Sequence, residues 1–226
     1  MGTVQTATWI VLVEWLARLI FFLLIGLSVW SVRVILERQK FFGSLEKFAN
    51  EAEQIRTALR TETDREDFGF LSKPWTEVRP IWDRAISSHG SDHSSPFVRA
   101  LGRTSAVADP NAFEKVVSSS LLDMRKDWEV GLPVLGTLGA TAPFIGLLGT
   151  VLGIIVSFGA LASGSADTLK VMSSLAEALI LTAVGLAVAI PAVIANNIFN
   201  RKILSLSRQI ESLKELGMAL RIRPSN

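Results

Sequence analysis

The chain has 226 residues, of which 49% are hydrophobic and only 19% are charged. Soluble globular chains carry about 25% charged residues, so the composition excludes extended disorder and argues against an ordinary soluble enzyme. The chain has no cysteine, two histidines and a net charge of +2. These values exclude disulfide bonds and thiol chemistry and give no sign of nucleic-acid binding.

The charged residues are distributed unevenly along the chain. Residues 130–200 contain only three of them, Asp167, Lys170 and Glu177. The other 155 residues carry the remaining 41, a fraction of about 26%, which is typical of soluble proteins. This division predicts a membrane protein with a soluble part, and no enzyme activity is expected of it.

The first apolar segment, residues 9–32, is long enough to cross a bilayer, which takes roughly 20 apolar residues. It lacks the basic region and the cleavage site of a signal peptide, so we expect it to remain as a membrane helix. Glu14 and Arg18 interrupt it four residues apart on one helical face, where they can pair. We favour an ion pair at the outer edge of the membrane, with a functional ion site as the alternative.

Two further spans follow, residues 131–162 without any charge and residues 171–199 with Glu177 as their only charge. The three spans predict an all-α integral membrane protein with three transmembrane helices and an extended helical cytoplasmic region. The predicted divisions are an outside segment with the first span (1–36), a cytoplasmic helical region (37–130), the second span (131–162), a short outside link (163–170), the third span (171–200) and a cytoplasmic C-terminal helix (201–226).

Basic residues mark one side of the membrane. They follow the first span, precede the second and follow the third, at Arg33, Arg38, Lys40, Arg125, Lys126, Arg201 and Lys202. Because cytoplasmic loops are enriched in Lys and Arg, the N-terminus is predicted to lie outside the cytoplasmic membrane. The long segment between the first two spans and the C-terminus are predicted to be cytoplasmic.

The cytoplasmic segment has the spacing of helices, with apolar residues three and four positions apart. The first seam consists of Phe41, Leu45, Phe48, Ala52, Ile55 and Leu59. A second helix that runs into the second span is indicated by Phe113, Val117, Ser120, Met124 and Trp128. The third span is expected to continue as an amphipathic helix through Ile203, Ile210, Leu213 and Leu216.

Residues 87–96, rich in Ser and interrupted by Gly90, predict a loop between these helices. Its two histidines, His89 and His93, hint at a metal site. A solvated loop is the better interpretation, because a glycine separates them in a Ser-rich stretch.

Small residues line one face of each of the last two spans. Those in the second span are Gly136, Gly139, Pro143, Gly146, Thr150, Gly153 and Ser157. Those in the third span are Ala178, Thr182, Gly185, Ala189, Ala192 and Asn196. Helices in lipid associate by close backbone approach, so these stripes predict either a tight hairpin or a bundle of several subunits. Helix packing explains most of these residues, and the residues with hydroxyl groups are the candidates for a functional role.

Glu177 is the most informative residue of the sequence. A charge at membrane depth costs at least ~2.5 kcal/mol and faces a cavity, a partner or a pathway. A carboxyl group that can be neutral or charged is what a proton carrier requires. The structural alternative is a carboxyl group bonded to a neighbouring helix.

Two threonines are candidates for the same pathway. Counted from the short link, Thr150 and Thr182 both lie about 20 Å deep, with Glu177 about 7 Å nearer the outside. Thr182 lies about 140° round the helix from Glu177, so one helix cannot direct both side chains to the same point. A continuous polar path would therefore need several helices, and hence several subunits.

Two stretches, APFIGLLGTVLGIIVSF (142–158) and LAEALILTAVGLAVAIPAVIANNIFNRK (175–202), resemble the ExbB/TolQ/MotA family of proton-driven motor subunits. In the first span, LIGLSVWSVRVILER (24–38) is similar to TolQ in particular. The resemblance covers the three spans and their order, roughly half of the chain. Three spans fit the ExbB and TolQ branches, since MotA relatives have four.

The resemblance implies a homopentamer around a dimer of a single-span partner similar to ExbD or TolR, which carries an Asp in its membrane helix. It places the family's membrane glutamate at Glu177, its polar threonines at Thr150 and Thr182, and its third-span proline at Pro191. Gly146, Gly153, Gly185 and Ala189, together with Pro191, are expected to pack helices or line the pore. Protons are the expected coupling ion, with no cofactor and no metal.

The expected function is that of a proton-channel or stator-type subunit of an inner-membrane motor complex. Such a complex converts the proton motive force into mechanical work on the cell envelope, of the TonB, Tol-Pal or gliding type. A TonB-like or TolA-like protein would transmit the force. The alternatives are an ion-coupled transporter or passive channel with Glu177 as its ion site, and a structural membrane scaffold.

Overall fold

The computed structural model describes residues 2–65, 74–89, 96–162 and 168–222. Over these ranges the regular structure is entirely helical, which confirms the predicted all-α class. The helices are α1 (Gly2–Arg65), α2 (Trp75–His89), α3 (Pro96–Thr104), α4 (Pro110–Glu129), α5 (Leu132–Ala162) and α6 (Thr168–Ala219).

Three helical segments within the described ranges are long and apolar enough to cross a membrane: Val11–Gly43, Leu132–Ala162 and Thr168–Ala219. They confirm a multi-pass membrane protein with three spans. The chain divides into two compact units. We call residues 1–39 and 131–199 the membrane unit, and residues 40–130 and 200–226 the polar unit.

The membrane unit buries few large side chains. Its core contains Ile20, Leu24, Ala142, Leu181, Val188 and Ala189, contributed by the first span, α5 and α6. Many large apolar side chains of the same helices are exposed, and Phe144 is 70% exposed. This reversed distribution is expected where the surrounding solvent is hydrocarbon.

The prediction that the second cytoplasmic helix runs into the second span is wrong. Helix α4 stops at Glu129, and Gly131 adopts a φ of 78° before α5 begins. Only glycine adopts such a left-handed conformation without a steric penalty, and it commonly ends a helix. The buried face of α4 also includes Leu121 in place of the predicted Ser120, which is only half-buried.

Two predicted connections differ from the observed helix ends. Helix α2 continues through His89 and α3 begins at Pro96, so residues 87–89 are helical and not part of a loop. His93 lies outside the described residues. Helix α6 begins at Thr168, inside the predicted 163–170 link, of which residues 163–167 also lie outside them.

The polar unit has a core of large side chains. Trp82, Phe113, Ile210 and Leu213 are completely buried. On α1 the predicted seam is buried at Ala52, Ile55 and Leu59, but Phe42 is buried in place of Phe41 and Leu45 is half-buried. The side chain of Phe48 lies outside those that the structure describes. Helix α6 continues beyond the third span to Ala219 and buries Ile203, Ile210 and Leu213, whereas Leu216 is half-buried. It ends before the predicted bound at residue 226, and residues 223–226 lie outside the described ranges.

A buried arginine, Arg221, packs against the aromatic side chains of this core. The guanidinium carbon of Arg221 lies over three aromatic rings, 3.6 Å from the centroid of Trp75, 3.9 Å from Phe113 and 4.9 Å from Trp82. The group also donates hydrogen bonds of 2.7–3.1 Å to the backbone oxygens of Gly217, Val107 and Thr104. Burial lowers the pKa of Arg221 to about 10, against a smaller raising effect of Asp83. Arg221 is therefore a cation at neutral pH.

Candidate functional site: a membrane carboxylate between two hydroxyl pairs

Helices α5 and α6 approach closely through two glycines. A Cβ atom added at Gly146 would lie 2.7 Å from the backbone oxygen of Leu181. A Cβ atom added at Gly185 would lie 2.7 Å from the backbone oxygen of Ala142 and 3.1 Å from the Cα atom of Gly146. No side chain fits at either position, so the two helix backbones are in direct contact here.

The contact continues along the two predicted stripes. A Cβ atom at Gly153 would lie 2.5 Å from that of Ala178, and Gly139 packs against Val193. Ala189 is buried in the same core, whereas Pro191 is exposed within α6. The sequence left open a tight hairpin or a multi-subunit bundle, and the structure places these glycines in a hairpin within one chain.

Two pairs of hydroxyl groups connect α5 to α6. The Oγ1 atom of Thr182 donates to the Oγ1 atom of Thr150 at 3.4 Å, and Thr150 donates in turn to the Leu147 backbone oxygen at 2.7 Å. Further along the hairpin, the Oγ atoms of Ser157 and Ser174 lie 2.7 Å apart. Thr150 and Thr182 thus share one level, where counting from the link places them. Hydroxyl groups both donate and accept hydrogen bonds, so each pair can hold water or pass a proton.

Glu177 lies between these pairs along α6, on a different face from Thr182. Its side chain is exposed in the single chain and lines a cavity of about 660 Å³. Ser157 and Ser174 line the same cavity, whereas Thr150 and Thr182 do not. Among the residues that the structure describes, Glu177 has no hydrogen-bond or ion-pair partner. The structural alternative of a carboxyl group bonded to a neighbouring helix is therefore not observed within this part of the chain.

Charges from the first span reach this cavity. The Arg18 Nη2 atom lies 2.7 Å from the Glu14 Oε1 atom, and both residues line the cavity together with Lys170. Sequence reasoning foresaw the pair but did not connect it with Glu177. It also passed over Ser174, which lies three residues before Glu177. The sequence did contain a signal for this grouping, because all these polar residues lie toward the same end of their spans.

The cavity therefore collects two carboxylates, two cations and two hydroxyl groups within helices that cross the membrane. Such a set can hold water and exchange protons. In the described ranges, no group of three or more His, Cys, Asp or Glu side chains is arranged to hold a metal ion. The arrangement suits a membrane protein that handles protons or other ions.

Comparison with known proteins identifies the class more narrowly. Residues 89–212, more than half of the chain, match the model of the MotA/TolQ/ExbB proton channel family. The chain belongs to this family, as the resemblance in its spans predicts.

Individual relatives have ExbB and TolQ names. The chain is 56% identical to the biopolymer transport protein ExbB of Xanthomonas campestris pv. campestris (strain B100) over 162 residues, 64% of this chain and 63% of the relative. It is 44% identical to the ExbB of Pseudomonas putida over 98 residues, 43% of this chain and 29% of that protein. It is 52% identical to the Tol-Pal system protein TolQ of Pseudomonas aeruginosa over 75 residues, 33% and 32% of the two chains. The chain thus spans less than two thirds of the length of these relatives.

Proposed function

We propose that this chain is the proton-channel subunit of an inner-membrane motor complex that converts the proton motive force into mechanical work on the cell envelope. The observation that carries the proposal is Glu177, a carboxylate within a membrane-spanning helix that is exposed and without a partner in the described chain. Burying such a group in lipid is costly, so in the assembled protein it faces other subunits, a partner helix or water.

The proposed assembly is a homopentamer around a dimer of an ExbD-like or TolR-like single-span partner with a membrane Asp. The different faces of Glu177 and Thr182 support an oligomer, since a polar path that joins the two residues needs a contribution from another chain. A proton that crosses 100 mV releases ~2.3 kcal/mol, so mechanical work requires several protons for each cycle. Protons pass between the partner's Asp, Glu177 and the hydroxyl pairs, and a TonB-like or TolA-like protein receives the force.

The proposed user of the force is a biopolymer-transport system of the TonB type. The ExbB match to the Xanthomonas protein covers 64% of this chain, against 33% for the TolQ match. A knockout strain that loses TonB-dependent uptake but keeps its detergent resistance supports this assignment. Detergent sensitivity with normal uptake would instead indicate the Tol-Pal type.

The main test is Glu177→Gln, which keeps the shape of the side chain and removes its ionisation. We expect the complex with the single-span partner to assemble normally and to lose at least about 99% of its force-dependent activity in cells, because loss of one essential proton-transfer group costs about 10²-fold or more. Glu129→Gln is the matched control, since Glu129 is also exposed but lies in the polar unit, paired with Arg125. Full activity of Glu177→Gln would refute the proposal.

A second measurement separates a motor subunit from a passive channel. Purified subunit alone in liposomes should conduct few protons, because the partner's Asp completes the path. Rapid proton flux without a partner would favour the channel.

The proposed topology has the N-terminus and the link in the periplasm and the polar unit in the cytoplasm, as the basic flanks indicate. Since the chain has no cysteine, single-cysteine variants give a clean test. A membrane-impermeant maleimide should label Leu169→Cys in intact spheroplasts and Ser119→Cys only after lysis. The reverse pattern would invert the topology.

A further inference from the structure

A second cavity, of about 350 Å³, lies within the polar unit between α1 and the C-terminal part of α6. Three arginines line it, Arg56 from α1 and Arg201 and Arg208 from α6. Its remaining lining residues are Leu204, Ser205 and Gln209. No carboxylate is among the lining residues, so the cavity concentrates positive charge.

The spacing of the α6 residues explains how they reach one cavity. Arg201, Ser205 and Arg208 are four and three positions apart, which places them on one face of a helix. This face extends for about 10 Å along the axis. Arg56 comes from α1, so two helices contribute arginines to the lining, and Arg201 and Arg208 are exposed to solvent.

Two buried polar atoms at this cavity lack hydrogen-bond partners. They are the Nε atom of Arg56 and the Oε1 atom of Gln209, both inaccessible to solvent. Arg56 makes an ion pair through its Nη2 atom with Glu53 at 3.1 Å, which leaves Nε unsatisfied. Since solvent does not reach these two atoms, a ligand in the cavity binds the accessible groups of the lining side chains, above all the terminal guanidinium nitrogens.

We propose that this cavity binds the phosphate group of an organic phosphate. Guanidinium groups match phosphate oxygens with paired, charge-assisted hydrogen bonds. Ser205, whose side chain is exposed, binds a hydroxyl group of the same ligand. A cavity of 350 Å³ lies in the range of small-molecule sites and has room for more than a bare phosphate ion.

Two sources can supply this chemistry, the headgroup of an anionic phospholipid and a soluble phosphorylated metabolite. The position of Arg201 favours the lipid. It follows Phe199, the last residue of the membrane unit, by two positions on the same continuous helix. Basic residues directly beyond a transmembrane helix are typical of sites for anionic headgroups.

The test uses the purified full chain in detergent and isothermal titration calorimetry with four probes. Two are short-chain lipids with identical acyl chains, phosphatidylglycerol and phosphatidylcholine, and two are soluble, glycerol 3-phosphate and inorganic phosphate. The variants are Arg56→Gln and Arg208→Gln. The matched control is Arg84→Gln, an exposed arginine of α2 that does not line the cavity. Circular dichroism verifies that each variant is folded.

We expect phosphatidylglycerol to bind at least about tenfold more tightly than phosphatidylcholine. Each lining variant should weaken that binding by about tenfold, the loss expected for one charge-assisted hydrogen bond, and Arg84→Gln should not. If the soluble phosphates show this dependence and phosphatidylglycerol has no advantage over phosphatidylcholine, the site is confirmed with a soluble ligand. If no probe distinguishes the lining variants from Arg84→Gln, the proposal is wrong.

Discussion

The two units of the chain are packed in opposite ways. The membrane unit joins its helices through small residues such as Gly146 and Gly185 and exposes large ones such as Phe144. The polar unit buries Trp82 and Phe113 completely. In water the hydrophobic effect drives the burial of large apolar groups. In lipid it provides no such force between helices, and close backbone contact takes its place.

The same contrast governs the charged groups. Arg221 of the polar unit is 4% exposed, and its guanidinium has three carbonyl acceptors and three aromatic faces. Glu177 of the membrane unit is exposed and has no partner in the described chain. A charged group with a full set of partners stabilises a fold, whereas a charged group without a partner in a spanning helix is available for function.

The largest effect is expected where the hairpin backbones touch. In Gly185→Ala the new Cβ atom would lie 2.7 Å from the backbone oxygen of Ala142, so α5 and α6 must separate. We expect the variant to be lost from the membrane fraction or to fail to assemble, as measured by immunoblotting and by size-exclusion chromatography in detergent.

Gly26→Ala is the matched control in the first span, because nothing lies within 4 Å of a Cβ atom there. Alanine is favoured over glycine in a helix by about 1 kcal/mol at both positions. Any difference between the variants therefore reports helix contact. Equal behaviour would mean that the small-residue stripe does not hold the hairpin.

The next largest effect should follow from Arg221→Lys in the polar unit. Lysine keeps the charge but has neither the planar group that stacks on rings nor the fork of donors. We expect a loss of about 2 kcal/mol in the free energy of unfolding, from weaker cation–π contacts and lost hydrogen bonds. Thermal unfolding followed by near-ultraviolet circular dichroism measures it. The exposed Arg103→Lys should unfold as the wild type does, and an equal effect in both would show that the aromatic cluster does not need the guanidinium.

The membrane unit could be predicted from the sequence to a larger extent than the surroundings of Arg221. The three spans, Glu177 and the shared level of Thr150 and Thr182 follow from composition and helical rise, which are local properties. The aromatic rings around Arg221 belong to α2 and α4, and Arg221 itself follows α6. No periodic pattern in the sequence connects such distant segments. The end of α4 was missed for another reason: Gly131 can occupy either a helix or a left-handed turn.

A smaller effect is expected from Thr182→Val, which removes one hydroxyl group and preserves the shape of the side chain. If the pair with Thr150 serves proton transfer, force-dependent activity should fall by about tenfold, the effect of one lost hydrogen bond, with restoration by Thr182→Ser. Thr141→Val is the control, because Thr141 is exposed in α5 and, within the described ranges, its hydroxyl group bonds only to the Thr137 backbone oxygen of its own helix. Activity of Thr182→Val equal to that of Thr141→Val would remove the threonine pair from the pathway.

The smallest effect should come from Arg18, which shares the cavity of Glu177 but is half exposed and paired with Glu14. A cation there repels incoming protons, and solvent screens its influence. Arg18→Gln should therefore raise proton flux through the reconstituted complex by about twofold at low ionic strength, with the difference fading at high salt. Arg125→Gln removes an arginine from a similar pair with Glu129 in the polar unit and should leave the flux unchanged. A salt-independent change, or one shared by Arg125→Gln, would show that the Arg18 charge does not act on this cavity.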